Sequence, residues 1–232
     1  MIAAIHQPNY APWCGYFAKL ATADVFILLD DVPRPQGRSY VSRTQVLGPS
    51  APQWLTIPIR HDGQQPICEL KSADDHWPRR HLRTLQAMYG KAPFFREVME
   101  WLAPAYETVP LLLTDFNLHL LNEVVAYLKL PTKLQRATAL QVSGNGSAHL
   151  LRLVESVGAK AYLSGPSGLR YLDQRAFARA GLELKFGRYE PIQYDQGRFP
   201  FVPSLSILDA LFHCGSAARG LLRYVPMKDA AG

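Results

Sequence analysis

The stretch IAAIHQPNYAPWCGYFAKLATADVFILLDD, from Ile2 to Asp31, decides the fold. Its apolar opening, Ile2 to Ile5, stops at His6, Gln7 and a Pro-Asn cluster, and Trp13 to Ala21 then repeats apolar residues at helical spacing. Val25-Phe26-Ile27-Leu28-Leu29 is apolar at every position, as a strand covered on both faces must be. Strand, helix, strand in so short a space predicts a βαβ unit with a parallel pair near 2–6 and 25–30.

Outward from that unit, Trp54-Leu55-Thr56-Ile57-Pro58-Ile59 reads as a further strand, with Pro58 marking an edge or an end. Helical spacing then takes over in His81 to Tyr89, Phe94 to Tyr106 and Leu113 to Leu128, punctuated by Gly90, Pro93, Pro110 and Pro131, which gives a helical section at about 76–130. Alternation resumes with a strand at Lys133 to Leu140, a helix from Ala148 to Val157, a strand at Ala161 to Leu163, a helix near Gln174 to Ala180, a strand at Leu182 to Phe186 and a last helix over Ser206 to His213. The expected class is α/β: an open, mostly parallel sheet with helices on both faces, in which the strands near 2–6, 25–30 and 160–163 are parallel neighbours or near neighbours.

A chain of 232 residues, 48% of them hydrophobic, has material for one sizeable core and is short for two, so a single domain over 1–232 is expected. No apolar run approaches the roughly 20 residues that span a bilayer. His6 and Gln7 interrupt the N-terminus before the apolar region of a signal peptide forms, so the expected location is cytoplasmic. Cys14, Cys68 and Cys214 are odd in number and far apart, which argues against a disulfide framework and a structural zinc site. A formal charge of +6 suits an anionic small ligand, although no basic run points to a polynucleotide.

Ligands of open parallel sheets bind at the carboxyl ends of strands, beside helix N-termini. The His6 to Phe17 segment occupies that place, and its candidates are His6, Gln7, Asn9, Tyr10, Trp13, Tyr16 and Lys19. Asp30 and Asp31 end the second strand toward the same edge, where an acid can orient a base, hold a hydroxyl or bind a cation; the alternative is a loop cap and a solvated acid. Arg43 is a candidate anion clamp or a surface arginine. His6, Gln7, Tyr10, Asp30, Asp31 and Arg43 are expected to face one pocket. A second tier follows the strand at 161–163: Ser164, Gly165, Ser167 and Gly168, where glycines permit close backbone approach, then Tyr171 and Asp173. No metal ligand set is expected. Absence of G-x-G-x-x-G, G-x-S-x-G and H-E-x-x-H disfavours a standard dinucleotide site, a nucleophile-elbow hydrolase and a zincin. A thiol hydrolase using Cys14, or Cys214 with His213, is disfavoured because neighbours on a helix point to different sides.

His6-Gln7-Pro8-Asn9-Tyr10, Pro12-Trp13, Gly15-Tyr16-Phe17 with Lys19, and Leu29-Asp30-Asp31-Val32 resemble the opening signature of the WbqC-like family. The likeness continues through Leu55-Thr56-Ile57-Pro58, Tyr89-Gly90-Lys91-Ala92-Pro93, Tyr162 to Gly168, Tyr171-Leu172-Asp173 and Leu205 to Phe212. Cys14, where an aliphatic residue is commoner, and Pro33-Arg34-Pro35 depart from the pattern; Cys14 as a nucleophile is thereby put in doubt. The resemblance implies a role in surface-glycan (O-antigen) or natural-product biosynthesis and no settled reaction. A fold-level similarity to nucleotidylyltransferases is looser, since both histidines of their His-x-Gly-His segment are absent from Pro12 to Tyr16.

The expected function is an acyl or aminoacyl transferase, or an ATP-dependent amide-forming enzyme, acting on the amine of a small molecule or sugar nucleotide. In it His6 is general base or phosphate ligand, Asp30 or Asp31 orients the amine or a metal, Lys19 and Arg43 stabilise anionic oxygens, and Tyr10 and Trp13 form an apolar wall. The cofactor stays open, with ATP and Mg as candidates, and a tRNA-linked aminoacyl donor is a further candidate partner. The competing expectation is a non-catalytic binding protein for a glycan precursor.

Overall fold

The computed structural model describes residues 1–35, 37, 39–60, 65–197 and 200–227. The βαβ unit forms as the sequence predicts: β1 (Ile2–His6), α1 (Cys14–Ala21) and β2 (Val25–Leu28), with Ala3 to His6 paired in parallel register with Val25 to Leu28. A two-stranded antiparallel hairpin follows, β3 (Arg43–Val46) and β4 (Gln53–Thr56). The strand expected at 54–59 thus lies outside the main sheet and stops before Pro58, which has no N–H to continue the ladder.

The helical section consists of α2 (Trp77–Tyr89), α3 (Phe95–Glu107) and α4 (Leu113–Tyr127). Next come β5 (Lys133–Arg136), a short α5 (Ala137–Leu140), α6 (Gly146–Ser156), β6 (Ala161–Ser164), α7 (Gln174–Arg179), β7 (Glu183–Tyr189), α8 (Ile207–Cys214) and β8 (Tyr224–Pro226). The strand expected to reach Leu140 turns helical at Ala137, where Asp30 captures the Thr138 amide and draws the chain out of the sheet.

The six-stranded sheet has the order β5-β2-β1-β6-β7-β8, parallel except for β8. Numbered as the chain reaches them, the sheet strands read 3-2-1-4-5-6, an order of doubly wound nucleotide-binding sheets. Side chains of successive strand residues point to opposite faces. Ala4, Phe26 and Leu28 accordingly join α1, α4 and α8 in one apolar cluster, and Ala3, Ile5, Val25 and Ile27 join α6 and α7 in another. A fully buried Phe or Leu contributes about 1.5–3 kcal/mol, so Phe17, Phe26, Phe116 and Leu20 on one face and Phe177 and Ile27 on the other hold the layers to the sheet.

The chain leaves β1 toward β2 and returns on its other side as β6. Diverging connections at this switch point leave a crevice at the strand carboxyl ends. Among the described residues no helix is long and apolar enough to cross a membrane.

Candidate functional site

A cavity of about 490 Å³ opens at that switch point. Ile5, His6 and Gln7 from the end of β1 form its floor together with Gly15, Tyr16 and Lys19 of α1 and Trp13 just before the helix. Ser164, Gly165, Pro166 and Ser167 bring the end of β6 to it, and Tyr162, Tyr171, Tyr189 and Tyr224 add a wall of phenol rings. A broader groove of about 1050 Å³ lies along the start of α2 and holds none of the N-terminal motif residues. That groove is the larger of the two; concave shape at a switch point with converging polar groups favours the smaller cavity.

Lys19 reaches this floor because Gly15, Tyr16 and Lys19, three and four residues apart, share one helix face. Its Nζ donates to the Ile5 carbonyl at 2.7 Å, and only 7% of the residue is exposed. Burial disfavours the ammonium and brings Lys19 down to about 7, with no neighbouring charge opposing it.

His6 sits edge-on to Tyr16 and to Trp13, with ring centroids at 4.8 and 6.1 Å. Its Nδ1 lies 3.3 Å from the Gln7 carbonyl. A carbonyl only accepts, so this bond puts the proton on Nδ1 and leaves the Nε2 lone pair for a ligand. Burial first, and then the charge of Lys19, lower His6 to about 3, so the imidazole is neutral at pH 7.

The set expected to share one pocket is divided. His6 and Gln7 line the cavity; Tyr10, Asp30, Asp31 and Arg43 do not. Tyr10 is fully buried on the helical side, its hydroxyl bonded to His81 Nδ1 and to the Tyr106 hydroxyl. Asp30, also fully buried, accepts from Arg136 Nε at 2.6 Å and from the amide and hydroxyl of Thr138, both at 3.0 Å. Asp31 meets His149 Nε2 at 2.8 Å, leaving Asp31 Oδ1 and His149 Nδ1 buried without a hydrogen-bond partner. Neighbouring acids that leave a strand end in different directions are the outcome the period-two rule favours. Arg43 stacks its guanidinium over Trp54, 4.1 Å from the ring centroid, in the β3–β4 hairpin.

Of the remaining candidates, Trp13, Tyr16, Lys19, Ser164, Gly165, Ser167 and Tyr171 line the cavity, whereas Asn9, Gly168 and Asp173 do not. Asn9 is buried. Gly168 packs against Ser164, whose Oγ would lie 2.1 Å from an added Cβ, and Asp173 caps α7 by accepting from the Ala176 amide. Tyr189 and Tyr224, from β7 and β8, are lining residues that no local motif announces. Cys14 is buried and its thiol is pushed up to about 12, the reverse of an activated nucleophile. Among the described residues no three His, Cys, Asp or Glu side chains form a group able to hold a metal ion.

Sheet order and cavity together define a doubly wound α/β protein with a crevice at its switch point. The chain belongs to the WbqC-like protein family, which it matches over residues 7–220. It is 34% identical over 225 residues to the uncharacterized protein Rv1507c of Mycobacterium tuberculosis (strain ATCC 25618 / H37Rv), an alignment covering 95% of this chain and 97% of that one. No solved structure matches, and the nucleotidylyltransferase likeness gains no support from the comparisons.

Proposed function

We propose that this chain, acting as a single α/β domain of the cytoplasm, is an enzyme that transfers an acyl or aminoacyl group to an amine of a small molecule or sugar nucleotide in glycan or natural-product assembly. The observation that carries the reading is the placement of a neutral imidazole and a buried lysine on one cavity floor.

An attacking amine must shed a proton as the new C–N bond forms, the acyl oxygen gains negative charge at the same moment, and the donor's acyl C–O bond then breaks, releasing its phosphate or tRNA hydroxyl, which takes up the proton where it needs one. His6 supplies the acceptor through Nε2. Its basicity is held down partly by Lys19, so an anionic substrate group that offsets the lysine charge raises it toward the useful range. Lys19, when protonated, stabilises the anionic oxygens. The phenol rings and Trp13 hold the flat and apolar parts of the substrates. Among the described residues the wall offers Mg no carboxylate, so the chemistry rests on these side chains, whether the donor is activated by ATP or arrives as an aminoacyl-tRNA.

The competing reading, a binding protein for a glycan precursor, draws on one observation: an imidazole lowered to about 3 is a poor base in the empty cavity. Incubation with amino-sugar nucleotides and either ATP plus amino acids or aminoacyl-tRNA, followed by mass spectrometry, separates the two. The enzyme reading expects an amide product that falls by about 10²–10⁴ in rate for His6→Gln. Tight binding with no product from any combination supports the binder.

A further inference from the structure

A buried ammonium ordinarily has a carboxylate beside it. Among the described residues Lys19 has none: its bond is to the Ile5 carbonyl, and no described residue lining the cavity is acidic. The titratable groups that face it are His6 from β1, Tyr16 on its own helix, Tyr162 from β6, Tyr171 beyond β6, Tyr189 from β7 and Tyr224 from β8. His6 is neutral, and burial is the leading influence raising all five phenols, so none supplies a negative charge at pH 7.

The N-terminus of α1 is open in the same place. No side chain caps it, and its own first turn contains no acidic residue. Gly15 brings this backbone to the cavity surface, where an added Cβ would lie 2.4 Å from Trp13 Nε1. A partly cationic helix end and a lysine without a counter-charge thus bracket one space. Beyond it, half-exposed Tyr171 and partly buried Tyr224 present flat rings at the mouth.

We propose that the cavity binds a nucleotide, with its phosphate between Lys19 and the α1 N-terminus and its base against the tyrosine rings, and that binding takes up a proton at Lys19. This rests on the cavity being the substrate site of the proposed transfer. Burial leaves Lys19 about half neutral near pH 7, and an adjacent phosphate restores the ammonium. Because the bound state holds the proton more tightly, affinity is highest below pH 7. It falls by up to about tenfold per pH unit above that, until the bound lysine itself titrates.

The test is calorimetric titration of the whole chain with UDP, ADP and ribose 5-phosphate from pH 7.5 to 9, above the phosphate's own ionisation near 6, with a further titration at pH 6.5. Each titration is run in two buffers of different ionisation enthalpy. The expected result for UDP or ADP is uptake of nearly one proton at pH 8 and a Kd about tenfold weaker at pH 9 than at pH 8. Ribose 5-phosphate, lacking the base, should bind more weakly with the same uptake. Lys19→Met, its fold checked by circular dichroism, should abolish both the uptake and the pH slope. A pH-independent Kd without proton uptake in the unmodified protein overturns the proposal, and so does absence of binding by all three probes at pH 6.5. Proton-linked nucleotide binding without amide product would refute the transferase reading alone, whereas amide formation with pH-independent binding would refute this one alone.

Discussion

Lys19 on α1 gives an Nζ hydrogen to the Ile5 carbonyl of β1 at 2.7 Å, so the helix and the central strand are joined at the cavity between them. The bond satisfies one ammonium hydrogen, and no described residue lining the cavity gives the charge an ionic partner. The arrangement costs stability when Lys19 is protonated.

The cost has a definite sign. Lys19 falls from 10.5 in the unfolded reference to about 7 in the fold, so between these values the unfolded chain binds more protons and stability rises with pH. Lys19→Met removes this contribution. Urea unfolding at pH 6.5 should find the variant as stable as the wild type or more so, with the gap narrowing by pH 9.5. A variant that is less stable at pH 6.5 by more than it is at pH 9.5 would contradict the burial argument.

Asp30→Asn should act on the fold. The carboxylate is fully buried and bridges Arg136 and Thr138, tying β2 to the chain after β5. Breaking a buried pair costs about 3 kcal/mol, which in a chain of this size lowers Tm by roughly 6–12 °C. Scanning calorimetry checks this, and turnover per folded molecule should hold. An unmoved Tm with lost turnover would restore the catalytic role that the sequence suggests for Asp30.

Tyr10→Phe should behave similarly on a smaller scale. Its hydroxyl links His81, whose Nε2 reaches the Thr56 carbonyl at 3.2 Å, to Tyr106. Removing it leaves partners unsatisfied in a dry core and costs about 1–3 kcal/mol. Equilibrium denaturation should show that loss, with ligand affinity unchanged; a weakened ligand with full stability would place Tyr10 in the site.

These cases show what a sequence can disclose here. Val25 to Leu28 declares a doubly covered strand through its unbroken apolar run, and His6 to Lys19 declares a strand end that runs through a turn into a helix and supplies much of the cavity lining. Arg43-Thr44-Gln45-Val46 conceals β3, since a half-polar hairpin strand looks like a loop. Tyr10 lies within the motif yet turns away, because only the tertiary fold decides which side of a turn faces the cavity. Tyr189 and Tyr224 reach the wall from β7 and β8, and no local pattern encodes that meeting.

Gly15→Ala probes the wall with a single methyl group. The new Cβ would lie 2.4 Å from Trp13 Nε1 and 3.0 Å from Tyr189 Cβ, so the indole must move. Nucleotide affinity should drop at least tenfold by calorimetry while Tm changes little, since Trp13 is only partly buried. Unchanged affinity would mean that the ligand does not touch this face of α1.

The claim that the β1–β6 switch point holds the ligand is tested most directly by a crystal structure of the protein grown with UDP at pH 6.5. The account predicts phosphate density within about 3 Å of Lys19 Nζ and beside the Gly15 amide, the distance of a charge-assisted hydrogen bond. Density instead in the groove lined by Arg60, Lys71 and Arg79, with the cavity between His6 and Ser164 empty, would contradict it.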